Sequence, residues 1–343
     1  MSSDRKKRAG GRASRVILRT SEAGTINPSP PGQISGTYKP LSESDLNKIL
    51  KTAYRLLEEI GIGDVPDELA KKAVSKGAKF NKNRLYFSEL FVKKIITNAC
   101  KEFTLFGRSP EFDITVGGNR SYFGTGGAAV QTKDIETGEY RASTLKDVYD
   151  FSRLIDRLEN VSWFTRCCIA TEIESVFDVE LNTAYAMLKG TKKPIGISFT
   201  QPEFVKPIVE MYDIALGGVG EFSKKPFCKA HISPIISPMR YGEDAFDVAL
   251  ACMEYGMPIN AIIAAQSGAT APATLAGMLA QSTAETLAGL IMINVFEPGY
   301  PVIFSNWPFV IDLRTGAFSG SGGETSVMNA AAAQIGNFLG LPT

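Results

Sequence analysis

Histidine occurs once in this chain, at His231, and that scarcity excludes more than any other count. Zinc sites built on several histidines are ruled out, as is any Ser-His-Asp triad that does not use this residue. The five cysteines (Cys100, Cys167, Cys168, Cys228, Cys252) include no CxxC pair and no metal-finger spacing, so no metal site is expected. Thiols scattered mostly among apolar neighbours fit a reducing cytoplasm better than a disulfide framework. Charge of neither sign dominates: 37 Lys and Arg stand against 36 Asp and Glu, which gives no field to draw nucleic acid or a membrane surface. The basic start (Arg5 to Arg8, with Arg12, Arg15 and Arg19) is followed by no apolar core of a secretory signal. It reads as a disordered or surface-lying arm, with an organelle transit peptide as the alternative. The apolar stretch 272–296 is interrupted by Gln281, Ser282 and Glu285, which predicts a buried helix rather than a membrane span.

What remains is a chain of 343 residues, 44% hydrophobic, able to bury a large core. Residues 1–40, rich in Gly, Ser, Pro and Arg, predict an extended arm. Ser42 and Asp45 open a helix whose apolar residues recur at helical spacing to Ile60, and Gly61 ends it. Two further helices at 66–76 and 87–99 make residues 41–110 a small helical N-terminal region. From there, over 111–343, the pattern alternates. Strands are predicted at 121–130, 161–169, 194–200, 228–236, 258–265 and 301–305, with helices at 144–158, 176–189, 203–216, 243–255 and 274–295 between them. Short apolar β-branched strands with no dinucleotide-binding glycine fingerprint favour an α/β fold of the (β/α)8 TIM-barrel type. Only about six of the eight units are present.

Catalytic residues of such a barrel sit at the C-terminal ends of its strands. Those ends supply Gln131, Arg166, Thr200, His231 with Ser233, Gln266, and Asn306 with Trp307. The set is polar and nearly uncharged, which suits binding a small, weakly acidic or cationic group more than hydrolysis. His231 is read as hydrogen-bonded packing or as a proton handler or orienting donor. Glu285, in an otherwise apolar helix, lies on the solvent stripe or reaches a buried partner such as Arg314. Asp312 and Arg314 flank Leu313 and pair with each other, or hold an amine or a carboxylate. The glycine-rich run 316–323 before a helix near Glu324 is either an anion cradle or a closely packed loop. Trp307 and Phe309 are core aromatics or a cation–π surface for a methylated ammonium. The catalytic candidates are therefore His231, Gln266 and Asp312, and the substrate-binding candidates Gln131, Trp307, Phe309, Arg314 and Glu285.

The segments WPFVIDLRTG at 307–316 and SGSGGE at 319–324, with a closing GLP at 340–342, resemble the trimethylamine–corrinoid protein methyltransferase family. So do GTGGAAVQ at 124–131, DIETGEY at 134–140, the helix start TLKD at 144–147, and Gln281 with Glu285. The resemblance runs from about residue 40 to the last residue. It implies a TIM barrel that moves a methyl group from trimethylamine to the Co(I) of a corrinoid. That cofactor is carried by a separate cognate protein, not by this chain. A homo-oligomer is expected.

In the trimethylamine branch the portion beyond Gly-Leu-Pro holds pyrrolysine, encoded by an amber codon. Reading amber as stop would yield a chain much like this one, so an in-frame continuation is expected, and the chain alone is expected to be a poor enzyme. The alternatives are the pyrrolysine-free branch, which demethylates a quaternary amine such as glycine betaine through Arg314 or Arg166, and an inactive fragment that only binds a partner.

Overall fold

The computed structural model describes residues 16, 27–317 and 322–343. The basic residues Arg5 to Arg8, Arg12, Arg15 and Arg19 lie outside that set, as does the middle of the glycine-rich run, 318–321. Met1–Pro30 and Pro31–Thr343 separate as two units, and the architecture that follows belongs to the second. Its first residues are not free chain: Gln33–Ile34 pairs antiparallel with Arg120–Ser121.

Ser42 accepts a hydrogen bond from the Asp45 amide at 3.2 Å and opens helix Glu43–Arg55. The helix buries Leu46, Ile49, Leu50 and Ala53, as their spacing requires. Gly61, at φ 68°, ends the following turn in a conformation that a side chain would strain. Helices Asp67–Ser75 and Glu89–Asn98 complete the predicted set.

The same region also carries strands that a helical reading leaves out. Ile62–Gly63, Lys79–Asn81 and Arg84–Tyr86 join the hairpin Ile235–Ile236/Arg240–Tyr241 in a five-stranded sheet. Elements of two or three residues are too short to show a period of two, which is why no alternation betrays them.

The six predicted strands all form, five of them shorter than expected and the sixth displaced by one residue. They are β1 (Phe123–Gly124), β2 (Val161–Thr165), β3 (Ile195–Ile197), β4 (Cys228–Ile232), β5 (Ile259–Ile263) and β6 (Val302–Asn306). They hydrogen-bond in chain order, and every pairing is parallel. A helix follows each strand: α1 (Leu145–Arg157), α2 (Val176–Gly190), α3 (Val205–Leu216), α4 (Glu243–Glu254), α5 (Leu275–Asn294) and α6 (Gly323–Phe338). Parallel neighbours need such crossovers, and the resulting α/β sheet is that of a half-barrel.

Alternation divides each strand between two faces. In β4, Cys228 lies 3.8 Å from the Tyr212 hydroxyl of α3, so Cys228, Ala230 and Ile232 face the helices. Lys229 and His231 face the opposite side. Helix α5 is buried on all sides from Met278 to Asn294 except at Gln281, and helix Glu43–Arg55 packs on it. Among the described residues no helix is long and apolar enough to cross a membrane.

Candidate active site

The interior face of the sheet carries a hydrogen-bonded chain of polar side chains drawn from four strands. Ser305 of β6 donates to Asn260 Oδ1 of β5. The Asn260 amide lies 3.3 Å from His231 Nδ1, and His231 Nε2 lies 3.1 Å from Thr165 Oγ1 of β2. Burial, with Lys229 and Arg166 adding, pushes the His231 imidazole down to about 3. It is therefore neutral near pH 7: Nδ1 accepts from Asn260, and Nε2–H donates to Thr165. At neutral pH its ring is thus held as a neutral hydrogen-bonding link between Asn260 and Thr165.

The last link crosses a whole strand, because β3 lies between β2 and β4. Gly196 makes the crossing possible. A Cβ there would stand 2.5 Å from both His231 Nε2 and Thr165 Oγ1, in the path of their hydrogen bond.

A pH prediction follows from His231. Its folded pKa lies below the unfolded value of about 6.5, so its contribution to stability is present above that pH and is lost as pH falls toward 3. Thermal unfolding midpoints should drop between pH 6.5 and about 4, and His231→Asn should flatten that limb. An unchanged slope in the variant would assign the acid limb to other groups.

Above this layer, at the strand ends, the first group is Arg166. Burial pushes its guanidinium down while the Glu180 carboxylate pushes it back up. No hydrogen bond or ion pair engages it among the described residues. Glu180, on α2, is 2% exposed, and its Oε1 accepts from the Thr200 amide at 2.8 Å. Its other oxygen is buried without a partner, as is Oδ1 of Asn306 at the end of β6. Arg166 is half-buried, and these two acceptors at the strand ends are polar groups that the described residues leave unmatched.

The predicted residues divide. Gln266 sits in a two-residue strand, Gln266–Ser267, that pairs parallel with Phe309–Val310 beyond the ends of β5 and β6. This places Gln266 beside Phe309. Trp307 and Phe309 form an aromatic pair with ring centroids 4.4 Å apart, and Trp307 is 48% exposed. Gln131 is exposed in the hairpin Gln131–Lys133/Tyr140–Ala142. Asp312 and Arg314 pair with each other at 3.2 Å across one turn, the arginine almost fully exposed.

Glu285 contradicts the solvent-stripe expectation: it is 0% exposed. Its partner is not Arg314 either. Oε2 accepts from Ser237 Oγ at 2.6 Å, and Oε1 from the Met239 amide at 2.9 Å and Gln281 Nε2 at 3.0 Å. Gln281 also donates to the Thr270 carbonyl at 2.8 Å. One carboxylate thus ties the loop after β4 to the loop after β5, a positioning role.

Thr165, Asn260, Ser305, Glu180 and Lys229 escaped the strand-end reading. Alternation in CKAHI at 228–232 already put Lys229 on the face of His231. The partners from other strands had no signal of their own.

Residues 8–343 match the family described as trimethylamine methyltransferase (MTTB). Among curated relatives, a glycine betaine methyltransferase of Desulfitobacterium hafniense (strain Y51) is 29% identical over 91% of this chain and 65% of its own length. The trimethylamine methyltransferase MttB of Methanosarcina barkeri is 26% identical over 87% of this chain and 61% of its own length. The chain thus spans less than two thirds of those relatives. Among solved structures, the monomethylamine methyltransferase MtmB of Methanosarcina barkeri superposes with a TM-score of 0.54 at 15% identity, over 90% of this chain and 62% of the other.

Proposed function

The chain belongs to the trimethylamine methyltransferase family, and from that premise we propose that it takes part in methyl transfer from a methylated amine to a corrinoid carried by a separate protein. The corrinoid would supply a strongly nucleophilic low-valent cobalt to accept the methyl group. This chain's part is to bind the amine, point one methyl group outward and let the amine leave. The loops at the C-terminal ends of the strands suit docking of a partner: Val130, Ile135, Tyr140, Trp307 and Leu313 are all exposed there.

The observation that carries the substrate reading is the half-buried Arg166 guanidinium, which makes no hydrogen bond or ion pair among the described residues although the Glu180 carboxylate acts on it. It favours a quaternary amine that bears a carboxylate, of the glycine betaine kind, over trimethylamine. The guanidinium would hold the carboxylate through two parallel hydrogen bonds. Aromatic faces such as the Trp307–Phe309 pair suit the trimethylammonium end. A quaternary nitrogen leaves as a neutral amine and needs no proton, which agrees with an imidazole that stays neutral.

Trimethylamine is the second reading, favoured by the family description. It requires a proton or an electrophile on its lone pair first, which a neutral His231 does not supply. The test is single-turnover methylation of a reduced corrinoid protein by the holoenzyme, with glycine betaine and trimethylamine in parallel. Methylation from glycine betaine alone supports the first reading, from trimethylamine alone the second. Methylation from neither, with a competent corrinoid protein, removes both.

A further inference from the structure

Lys229 is the residue of the interior face that the proposed reaction leaves unused, and its surroundings are unlike those of the other buried lysine. The Lys193 ammonium donates to the carbonyls of Ile155, Leu158 and Val161, so its charge is answered by three dipoles. Lys229 is 4% exposed and has no acceptor among the described residues. Its Nζ lies 4.4 Å from the centroid of the Trp163 ring, which attracts a cation but accepts no strong hydrogen bond.

The ammonium borders a cavity of about 230 Å³ lined also by Trp163, Asn260, Ser305, Tyr122 and Arg120. Among the described residues no Asp or Glu side chain lines it, and Thr343 lines it too. Arg120 is already paired with Glu102, and the Asn260 amide is committed to His231 and Ser305. A buried ammonium with no acidic side chain beside it is unfavourable unless it loses its proton or gains an anion. Burial pushes Lys229 down to about 8, so it keeps its proton through the neutral range.

We propose that this cavity is an anion-binding site in which the Lys229 ammonium takes a small monoanion, a carboxylate of formate or acetate size or a halide. Lys229 Nζ supplies the charge and up to three donors, the Tyr122 hydroxyl can donate a fourth hydrogen bond, and Trp163 holds the ammonium against the cavity wall. The volume admits such an anion with a few waters, since a water takes about 30 Å³. Asn260 lines the cavity and also donates to His231 Nδ1, so the cavity adjoins the polar chain of the interior face. The site is independent of the proposed methyl transfer.

The chain contains two tryptophans, Trp163 and Trp307, so Trp307→Phe leaves Trp163 as the sole indole reporter. In that background, sodium acetate and sodium bromide are titrated separately at constant ionic strength while Trp163 emission is followed. A saturable change with either salt, weakened at least tenfold by adding Lys229→Met, is expected. Acetate alone assigns the site to carboxylates, bromide alone to halides. An identical response in Lys229→Met, or no response with either salt, overturns the proposal.

If Lys229→Met does not fold, a pH titration of Trp163 emission decides the matter. The titratable groups on the Lys229 side are His231, Arg120 and Tyr122, with Cys228 behind the strand, and the transition near pH 8 reports the ammonium. A bound anion stabilises the charged form, so saturating anion must raise that midpoint by about half a unit or more, a factor of roughly three in affinity between the two forms. A fixed midpoint refutes the site.

Discussion

Replacing Arg166 by methionine is expected to lower kcat/KM for a carboxylate-bearing quaternary amine by roughly 10²- to 10³-fold. Removing one partner of a desolvated, hydrogen-bonded charge pair typically costs about 2–5 kcal/mol, and each 1.4 kcal/mol is tenfold. The loss should fall mainly on KM, because the carboxylate is held alike in the ground and transition states. Arg166→Lys should recover part of it, since a point charge replaces a planar fork. Trimethylamine, with no carboxylate, should be turned over within a few-fold of wild type by the same variants, if it is turned over at all. Equal losses with both amines would mean that Arg166 holds Glu180 and the cleft together rather than the substrate. Loss of the Arg166 cation should also raise the Glu180 carboxyl further, because only Thr200, through its hydroxyl and its amide, would then oppose its burial.

Glu285→Ala is expected to be the most destabilising single change, at about 3–5 kcal/mol in urea or thermal unfolding. It leaves the Met239 amide and the Ser237 hydroxyl without the carboxylate that accepts from both, and each buried group so orphaned costs roughly 1–3 kcal/mol. A cavity beneath Gln281 adds to this. Limited proteolysis should find new cleavage between residues 236 and 241.

Glu285→Gln should be milder, with a pH signature. Burial raises the Glu285 pKa above its ordinary value. Its contribution is therefore full at low pH and shrinks as pH rises above the ordinary carboxylate range and through the raised folded pKa, so the gap between wild type and Glu285→Gln narrows with rising pH. A gap that widens with pH would mean that the ionised carboxylate is the stabilising form.

Glu285 also shows where the sequence was misleading. A carboxylate in a helix is placed on the solvent side by default, yet from Met278 onward α5 is buried on nearly every side and offers Glu285 no solvent face. Most strands and helices of the parallel sheet were legible because they lie in β-branched or apolar runs or in 3.6-periodic stretches, whereas β1, only Phe123–Gly124, carries little signal of its own. The site was legible only one residue at a time. His231 stood out by being alone, but Thr165, Asn260 and Ser305 are neutral residues of ordinary strands, and nothing in their local sequence says that they meet. Gly196 carried the least signal of all. Its value lies in a side chain it lacks, over which two neighbouring strands reach one another.

The hairpin Ile235–Ile236/Arg240–Tyr241 sets the order in which the chain can finish folding. Gly63 pairs with Arg240, roughly 180 residues downstream, so the N-terminal sheet cannot close until the segment after β4 exists. At a synthesis rate of about 5–20 residues per second, strand Ile62–Gly63 waits about 10–40 s with one edge unpaired. Contacts of such long range slow folding, because the entropy of a large loop is lost before the pairing rewards it. The early-made segment is thus the part of this molecule most exposed to chaperones, and to wrong partners, while the rest is still on the ribosome.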